Sequence, residues 1–183
     1  NFVKLFSHLN LKLLEKKYVI FQEIDDESGE VGAASYIEKE NGEIKLYNEI
    51  IALGKPTVFV NISGSAIALC DQDERCDAVI QLFYGGAQAG NALADVLFGK
   101  YSPSGRLPVT FYRSVDDLPP FRDYSMENRT YKFFKGNPLY AFGHGLTYAD
   151  ISESWISENE VIVKNNGGMD TDYSVLKFKT EPH

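Results

Sequence analysis

The sequence is poor in the residue types that mark several protein classes. It has two cysteines, three histidines and one tryptophan among its 183 residues. Cys70 and Cys76 are separated by five residues, a spacing that matches no common zinc motif and gives no disulfide framework. We therefore expect reduced, structural thiols and no metal site, with a local disulfide as the alternative in an exported protein.

Long apolar runs are also absent. No stretch approaches the roughly 18 consecutive apolar residues of a membrane helix, so we expect no membrane partner. Residues 1–17 carry four lysines without a continuous apolar segment or a small-residue cleavage site, so no signal peptide is visible. The sequence does not begin with Met, which is compatible with a start inside a longer chain. The compartment stays open between cytoplasm, periplasm and secretion.

A basic stripe is missing as well. The net charge is −8, and residues 21–50 alone carry −7. Binding to phosphate backbones needs clustered Lys and Arg, so we expect no nucleic-acid partner. The acidic block has an ordinary interpretation as a solvated loop. Its alternative is a general acid, because neighbouring carboxylates raise the pKa of a carboxyl group. The block comprises Glu23, Asp25, Asp26, Glu27 and Glu30.

What is present is a regular alternation of apolar runs and helical periods. Residues 18–21 form a continuous apolar run, and residues 57–62 and 77–83 are mostly apolar, which is typical of strands covered on both faces. Residues 43–53 and 88–98 place apolar side chains at helical spacing. The pattern predicts an α/β fold with a mainly parallel sheet and flanking helices. Ligands of such sheets bind beyond the carboxyl ends of the strands. The loops there are 23–41, 63–69 and 84–88.

The second half has a different texture. Residues 101–148 are rich in prolines and aromatic residues, which predicts an extended segment anchored by rings. Residues 160–163 and 174–179 alternate like half-buried strands around a turn at 165–168. An immunoglobulin-type sandwich takes about 100 residues, so we expect a partial β-sandwich here. The predicted division is an α/β domain over 1–112, a connecting segment over 113–148 and a truncated β-sandwich over 149–183.

Several short motifs have both a catalytic and a structural interpretation. The glycine-rich residues 85–90 lie where a strand enters a helix, but they lack the G-x-G-x-x-G pattern and favour tight packing over nucleotide binding. Ser63-Gly64-Ser65 lacks the G-x-S-x-G pattern of a nucleophilic serine. His144, between two glycines, has no acid or nucleophile at a related spacing, so a structural role is favoured.

Five segments together carry a specific resemblance. Residues 128–134 (N-R-T-Y-K-F-F) resemble the motif G-R-T-Y-R-Y-F, and residues 139–148 (L-Y-A-F-G-H-G-L-T-Y) resemble an ending P-F-G-x-G-L-S-Y. Residues 60–69, 90–99 and 103–112 match further segments in the same order. These motifs are those of the glycoside hydrolase family 3 β-glucosidases and β-xylosidases, and the similarity covers about residues 53–150.

The resemblance implies a domain order and an activity. Family members have an N-terminal (β/α)8 barrel with an aspartate nucleophile, then an α/β sandwich, and often a fibronectin-III-like domain. This chain is similar to the later part of the sandwich and the start of the third domain. The implied partners are an oligosaccharide with terminal β-linked glucose or xylose and the missing barrel, with no cofactor or metal. The chain alone is expected to be inactive. The alternative is a non-catalytic carbohydrate-binding or scaffold module.

The resemblance also points to a catalytic residue. Retaining glycosidases use one carboxyl group as nucleophile and a second as general acid/base. Residues 28–32 (S-G-E-V-G) stand where family members carry a loop similar to S-G-E-G, which makes Glu30 the acid/base and Glu27 the second choice. Val31 replaces a glycine there, and no D-R follows. Arg106, Arg129 and the aromatic residues of 101–148 are implied to bind that segment to the sandwich and to the neighbouring domain.

Overall fold

The fold centres on a four-stranded sheet. The computed structural model describes residues 2–3, 18–23 and 42–179, and for residues 2–3, 18–23 and 42–46 it describes the backbone alone. The sheet contains β1 (Phe2–Val3), β2 (Tyr18–Glu23), β3 (Thr57–Ile62) and β4 (Ala78–Leu82) in the order β1-β4-β3-β2. The last three strands are mutually parallel, and β1 pairs antiparallel with β4. The prediction of an α/β fold with a mainly parallel sheet is confirmed.

The sheet is buried on both faces because its central strands are almost wholly apolar. Five of the six residues of β3 and all five of β4 are buried. On one face Phe59 and Val79 pack with Tyr47 and Phe111. On the other face the alternate residues of β3 and β4 pack against a helix. The contributors to this second cluster are Val58, Val60, Ala78, Ile80, Leu82, Leu93 and Val96. This explains why the strands lack an alternating pattern.

Four helices accompany the sheet in the part of the chain that the structure describes. α1 (Gly42–Ala52) and α3 (Ala89–Leu97) fall where the helical periods predicted them. α2 (Cys70–Arg75) was not predicted, because its sequence C-D-Q-D-E-R has no apolar period and it buries none of its residues. Asp71 and Asp73 lie in its first turn, where carboxylates favour a helix through the helix dipole. The fourth helix, α4 (Thr130–Phe133), is a single turn.

Residues 101–148, called the strap below, run with little regular structure, as predicted. The strap backbone pairs with itself at one isolated β-bridge, between Phe111 and Tyr140, and through hydrogen bonds between Leu107 and residues 143–144. Its end is tied to the domain, because the Tyr148 hydroxyl donates to the Val96 carbonyl of α3 at 2.8 Å. Gly145 lies so close to the strap's start that a Cβ there would overlap the Gly105 carbonyl oxygen. Only glycine fits this crossing.

The last part of the described chain is a hairpin. β5 (Ile151–Ser157) and β6 (Glu160–Asn165) pair antiparallel. The predicted strand at 160–163 is confirmed, whereas 174–179 forms no regular strand and that prediction is wrong. Phe178 instead packs its ring on Tyr131 and Phe142 of the strap, at centroid distances of 5.8 and 6.1 Å. Residues 11–17, whose leucines at 11, 13 and 14 predict a short helix, lie outside the described residues.

Candidate functional site

The site is the edge of the sheet where the parallel strands end. β2 ends at Glu23, which lies beside Ile62, the last residue of β3. The Ser63–Ser65 loop begins directly after Ile62, and Phe83 follows β4 at the same edge. Carboxyl ends of parallel strands therefore bring these loops together, as in other open α/β sheets.

A buried amide network stabilises this edge. Asn61 of β3 and Gln81 of β4 are register partners, and the Asn61 Nδ2 donates to the Gln81 Oε1 at 2.6 Å. Both amides also bond Ser63, because Asn61 Nδ2 and Gln81 Nε2 lie 2.9 and 3.1 Å from its Oγ. All three residues are buried. Sequence reasoning missed this network, although polar residues inside two apolar strands were its visible signal.

The hydrogen bonds of this network show which role the Ser63 hydroxyl has. Its Oγ accepts from two amides and donates its own proton to the Ser65 carbonyl at 2.9 Å. A nucleophilic serine must instead give that proton to a base. Ser63 is therefore a structural residue that fixes the shape of the 63–65 loop, which agrees with the missing nucleophile motif.

A pocket of about 600 Å³ opens between this loop and the strap. We call it the strap pocket. Gly64, Ser65 and Ala66 form one side, and Phe83 stands at the end of β4. The strap supplies the remaining lining, namely Pro108, Val109, Thr110, Tyr112, Leu118, Arg129, Thr130, Tyr131 and Phe142. No local sequence pattern predicts this pocket, because its wall joins residues from distant parts of the chain.

Arg129 donates hydrogen bonds to three backbone carbonyls of the strap. Its Nη2 donates to Asp123 and Pro120 at 2.7 and 3.3 Å, and its Nε donates to Ser125 at 3.2 Å. Arg129 therefore holds the strap to itself, and these bonds do not reach the sandwich as the resemblance implied. Arg106 makes a different contact, because its guanidinium lies over the ring of Tyr173, 5.6 Å from the ring centre.

Rings fill the strap as predicted. Tyr131 stacks on Phe142 with centroids 4.5 Å apart, and Tyr112 meets Phe134 edge-on at 4.9 Å. Such pairs are worth about 0.5–1.5 kcal/mol beyond their buried area. They fix the pocket's strap side although this backbone has little regular hydrogen bonding.

The contacts of His144 are those of a structural residue, as the sequence predicted. Its ring stacks on Tyr140 at 5.0 Å, and its carbonyl accepts from the Leu107 backbone at 2.8 Å. The Tyr140 hydroxyl in turn donates to the Asp73 carboxylate. Burial, then this bond to Asp73, raises the pKa of Tyr140. The arrangement joins the strap to α2.

The thiols are not joined to each other. Cys70 donates to the Arg113 carbonyl at 3.4 Å, and Cys76 is buried with its Sγ 3.8 Å from the Tyr47 hydroxyl. Burial is the main cause that raises the pKa of both Cys76 and Tyr47. Cys76 is thus a packed thiol, as expected from the sequence.

The glycine-rich turn after β4 has a packing reason. A Cβ on Gly85 would lie 2.8 Å from the Ala89 Cβ at the start of α3. The close approach of strand end and helix supports the packing interpretation over a nucleotide loop. Among the described residues, no cluster of His, Cys, Asp and Glu could hold a metal ion, and no helix has the length and apolar character to cross a membrane.

The two carboxylates proposed for catalysis from the sequence, Glu30 and Glu27, lie outside the described residues. What the structure does describe is the end of β2 at Glu23, the residue after which their segment begins. This strand end lies beside β3, which leads into the 63–65 loop, and that loop lines the strap pocket.

These features define an α/β domain with its crevice at the carboxyl edge of a parallel sheet. The sequence model of the glycosyl hydrolase family 3 C-terminal domain matches residues 14–148. The chain belongs to this family.

Named relatives agree with that assignment. The chain is 46% identical over 118 residues to a xylan 1,4-β-xylosidase of Xylanibacter ruminicola, covering 64% of this chain and 13% of that protein. It is 36% identical over 134 residues to a periplasmic β-glucosidase of Salmonella typhimurium, covering 67% and 18%. The chain thus spans less than a fifth of either relative.

A solved structure shares the fold. The β-glucosidase of Kluyveromyces marxianus in complex with glucose superposes with a TM-score of 0.65 at 26% identity. The match covers 86% of this chain and 21% of that protein.

Proposed function

We propose that this chain is the C-terminal part of a retaining, exo-acting β-glycosidase that removes terminal β-linked glucose or xylose from oligosaccharides. The family match over residues 14–148 carries the proposal. The names of the relatives support both sugars, since one is a β-xylosidase and another a β-glucosidase.

Glu30 is the proposed general acid/base, with Glu27 as the second choice. As an acid it protonates the leaving glycosidic oxygen while the nucleophile attacks the anomeric carbon. As a base it then takes a proton from the water that releases the sugar. The two carboxyl groups must stand about 5–5.5 Å apart for this chemistry. Support comes from β2, whose carboxyl end at Glu23 lies beside the strand that leads into the 63–65 loop.

The test is Glu30→Ala in the full-length protein. Because general acid–base catalysis contributes about 10²–10⁴-fold, we expect kcat/KM to fall by that factor on substrates with poor leaving groups. Aryl glycosides with good leaving groups need less protonation, so their glycosylation step suffers less. Added azide restores turnover and yields a β-glycosyl azide, which product analysis by NMR detects.

Glu27→Ala is the matched control, because it removes a carboxylate of the same acidic block. If Glu27→Ala shows the leaving-group pattern and Glu30→Ala resembles wild type, the second choice is correct. If neither variant shows it, the acid/base lies outside this block.

The barrel that carries the nucleophile is the proposed intramolecular partner. The chain's small share of its relatives, 13% and 18%, supports further domains. So do apolar rings on the strap that nothing in the described chain covers, with Phe121 68% and Tyr124 91% exposed. Contiguous exposed apolar surface commonly marks a contact with another domain.

Residues 149–183 are proposed to begin a fibronectin-III-like sandwich, within the division 1–112, 113–148 and 149–183. The β5–β6 hairpin supports this, because a lone hairpin is marginally stable in water and needs further strands. Its apolar residues Trp155, Ile156 and Ile162 are exposed. The family match ends at residue 148, just before the hairpin.

A further inference from the structure

We propose that Asn166 is a site of spontaneous deamidation and that Asn165 controls the rate of this modification. Asn166 is exposed and directly precedes Gly167, in the turn that follows β6. Because glycine has no Cβ, its backbone nitrogen can approach the side chain of the preceding residue without steric hindrance. The proposal concerns a covalent modification of the hairpin, and it does not depend on the proposed glycosidase activity.

The reaction consumes water, releases ammonia and needs no cofactor. The Gly167 backbone nitrogen loses its proton to hydroxide and forms a bond with the Cγ of Asn166. The Cγ–Nδ2 bond then breaks, and the departing nitrogen takes a proton from water and leaves as ammonia. Water opens the resulting cyclic imide at either of its carbonyl groups. The products are aspartate and isoaspartate, and in isoaspartate the main chain runs through the side-chain carbon atoms.

Asn165 opposes the first step of this reaction. The Gly167 N–H, which must lose its proton, donates a hydrogen bond to the Asn165 Oδ1 at 3.0 Å. The Asn165 Nδ2 in turn donates to the Met169 carbonyl at 2.8 Å, which holds the Asn165 side chain in this position. A proton in a hydrogen bond is harder to remove, and the nitrogen that carries it is less free to approach Cγ. The Asn165 amide therefore slows the attack of Gly167 on Asn166.

Asn166 itself is held by two further hydrogen bonds. Its backbone N–H donates to the Asp150 carbonyl at 2.7 Å, and its Nδ2 donates to the Ser152 Oγ of β5 at 3.1 Å. The side chain must leave Ser152 before its Cγ can turn towards the Gly167 nitrogen. The folded hairpin is therefore expected to react more slowly than the unfolded chain, in which these bonds are lost.

Deamidation would weaken the open end of the hairpin. The bond from the Asn166 N–H to Asp150 joins the end of β6 to the residue before β5. Isoaspartate displaces this part of the main chain, because it adds a carbon atom to the backbone. Either product also adds a negative charge close to Asp150, since a Cβ on Gly167 would lie 3.5 Å from the Asp150 Cβ. Neighbouring like charges repel, so we expect the modified hairpin to open more readily.

The test measures the rate of conversion in the full-length protein by peptide mapping with mass spectrometry. Trypsin releases residues 165–177, in which Asn165 and Asn166 are the only asparagines, and fragment spectra locate the modified residue and identify isoaspartate. Digestion in water enriched in ¹⁸O marks any conversion that occurs during handling. We expect a lower rate in the folded protein than in urea. Both rates should rise with pH, because the attacking nitrogen must be deprotonated.

Two variants test the control by Asn165. Asn165→Ala removes the acceptor of the Gly167 N–H and should speed the conversion of Asn166 in the folded protein about three- to tenfold, the effect of one hydrogen bond. Asn165→Asp keeps an acceptor oxygen and should react like wild type. In urea all three proteins should react at the same rate, which excludes an intrinsic effect of the neighbouring residue. Asn159, which is also exposed but precedes Glu160, is the internal control and should stay unmodified.

The proposal is overturned if Asn166 converts equally fast in folded wild type and in urea, or if folded Asn165→Ala reacts at the wild-type rate. Absence of conversion at Asn166 in folded Asn165→Ala would also overturn it. Circular dichroism verifies that the compared proteins are folded. Limited proteolysis of aged protein tests the consequence, because modified molecules should be cut within the hairpin faster than unmodified ones, and equal cleavage would contradict the predicted weakening.

Discussion

Arg129 illustrates how one side chain can organise an irregular segment. Its guanidinium replaces the regular hydrogen-bond ladder that the strap lacks, because it bonds three carbonyls spaced along 120–125. A neighbouring residue adds to the constraint, since Thr130 adopts a φ of 57°. This conformation is uncommon for a β-branched residue and costs on the order of 1–3 kcal/mol, so the contacts around it must compensate.

Replacing Arg129 should affect stability more than chemistry. Arg129→Ala leaves three carbonyls without their donor, and hydrogen bonds from charged groups are worth about 1.5–3 kcal/mol each when buried. Arg129 is half-buried, so we expect a total loss of about 1–3 kcal/mol and a melting temperature several degrees lower.

Differential scanning calorimetry of the full-length protein measures this change, and the exposed Arg113→Ala is the control. The folded fraction of Arg129→Ala should keep its turnover rate. Unchanged stability with a large fall in turnover would show that Arg129 belongs to the catalytic site.

At the scale of elements, α1 packs on the sheet through the aromatic ring of Tyr47, whose hydroxyl group is also buried there. Tyr47 meets Phe59 of β3 edge-on at 6.1 Å, and its hydroxyl lies beside the Cys76 thiol at the end of α2. Burial keeps both groups in their neutral, protonated forms, since it raises both pKa values. Unfolding exposes both groups to water and returns their pKa values to the ordinary range. The free energy of unfolding therefore depends on pH.

The linkage predicts lower stability at alkaline pH. An unfolded thiol ionises near pH 8.5, while folded Cys76 keeps its proton to higher pH. Above that pH the unfolded state binds fewer protons, so the free energy of unfolding falls as pH rises, by at most about 1.4 kcal/mol per unit for one group. Tyrosines with raised pKa add to the fall near pH 10 and above.

Urea unfolding at pH 7.5, 8.5 and 9.5 measures the dependence in the interval where the thiol dominates. Cys76→Ala should flatten the decline, and Cys70→Ala, at a half-exposed position, serves as the control. An equal slope in wild type and Cys76→Ala would contradict the assignment.

At the scale of the whole molecule, the proposal is that this chain is part of a larger enzyme. The parallel sheet supplies a rigid platform, the loops at its carboxyl edge supply the proposed chemistry, and the strap closes one side of that edge. In the proposed mechanism, retention of configuration needs two carboxyl groups, and the nucleophile belongs to the proposed barrel.

The 183-residue chain by itself should therefore not hydrolyse p-nitrophenyl β-xyloside or β-glucoside. A chromogenic assay compares it with a mock purification. Turnover above that background, with a product that keeps the β configuration, would show that both catalytic carboxylates lie within this chain.

The sequence by itself determined the class of fold and the family. Runs such as 57–62 are mostly apolar, as a strand covered on both faces requires, and periods such as 43–53 specify helices, so local pattern was sufficient. The motifs at 128–134 and 139–148 identified the family for the same reason, because they are contiguous in the chain.

Only the tertiary structure decided which residues share a site. Gly64 and Tyr131 line one pocket although 67 positions separate them, and no local period encodes such a pairing. The same holds for α2, which Tyr140 of the strap contacts through Asp73, and for 174–179, where Phe178 packs on the rings of the strap. Long-range packing selects among conformations that local sequence leaves nearly equal in free energy.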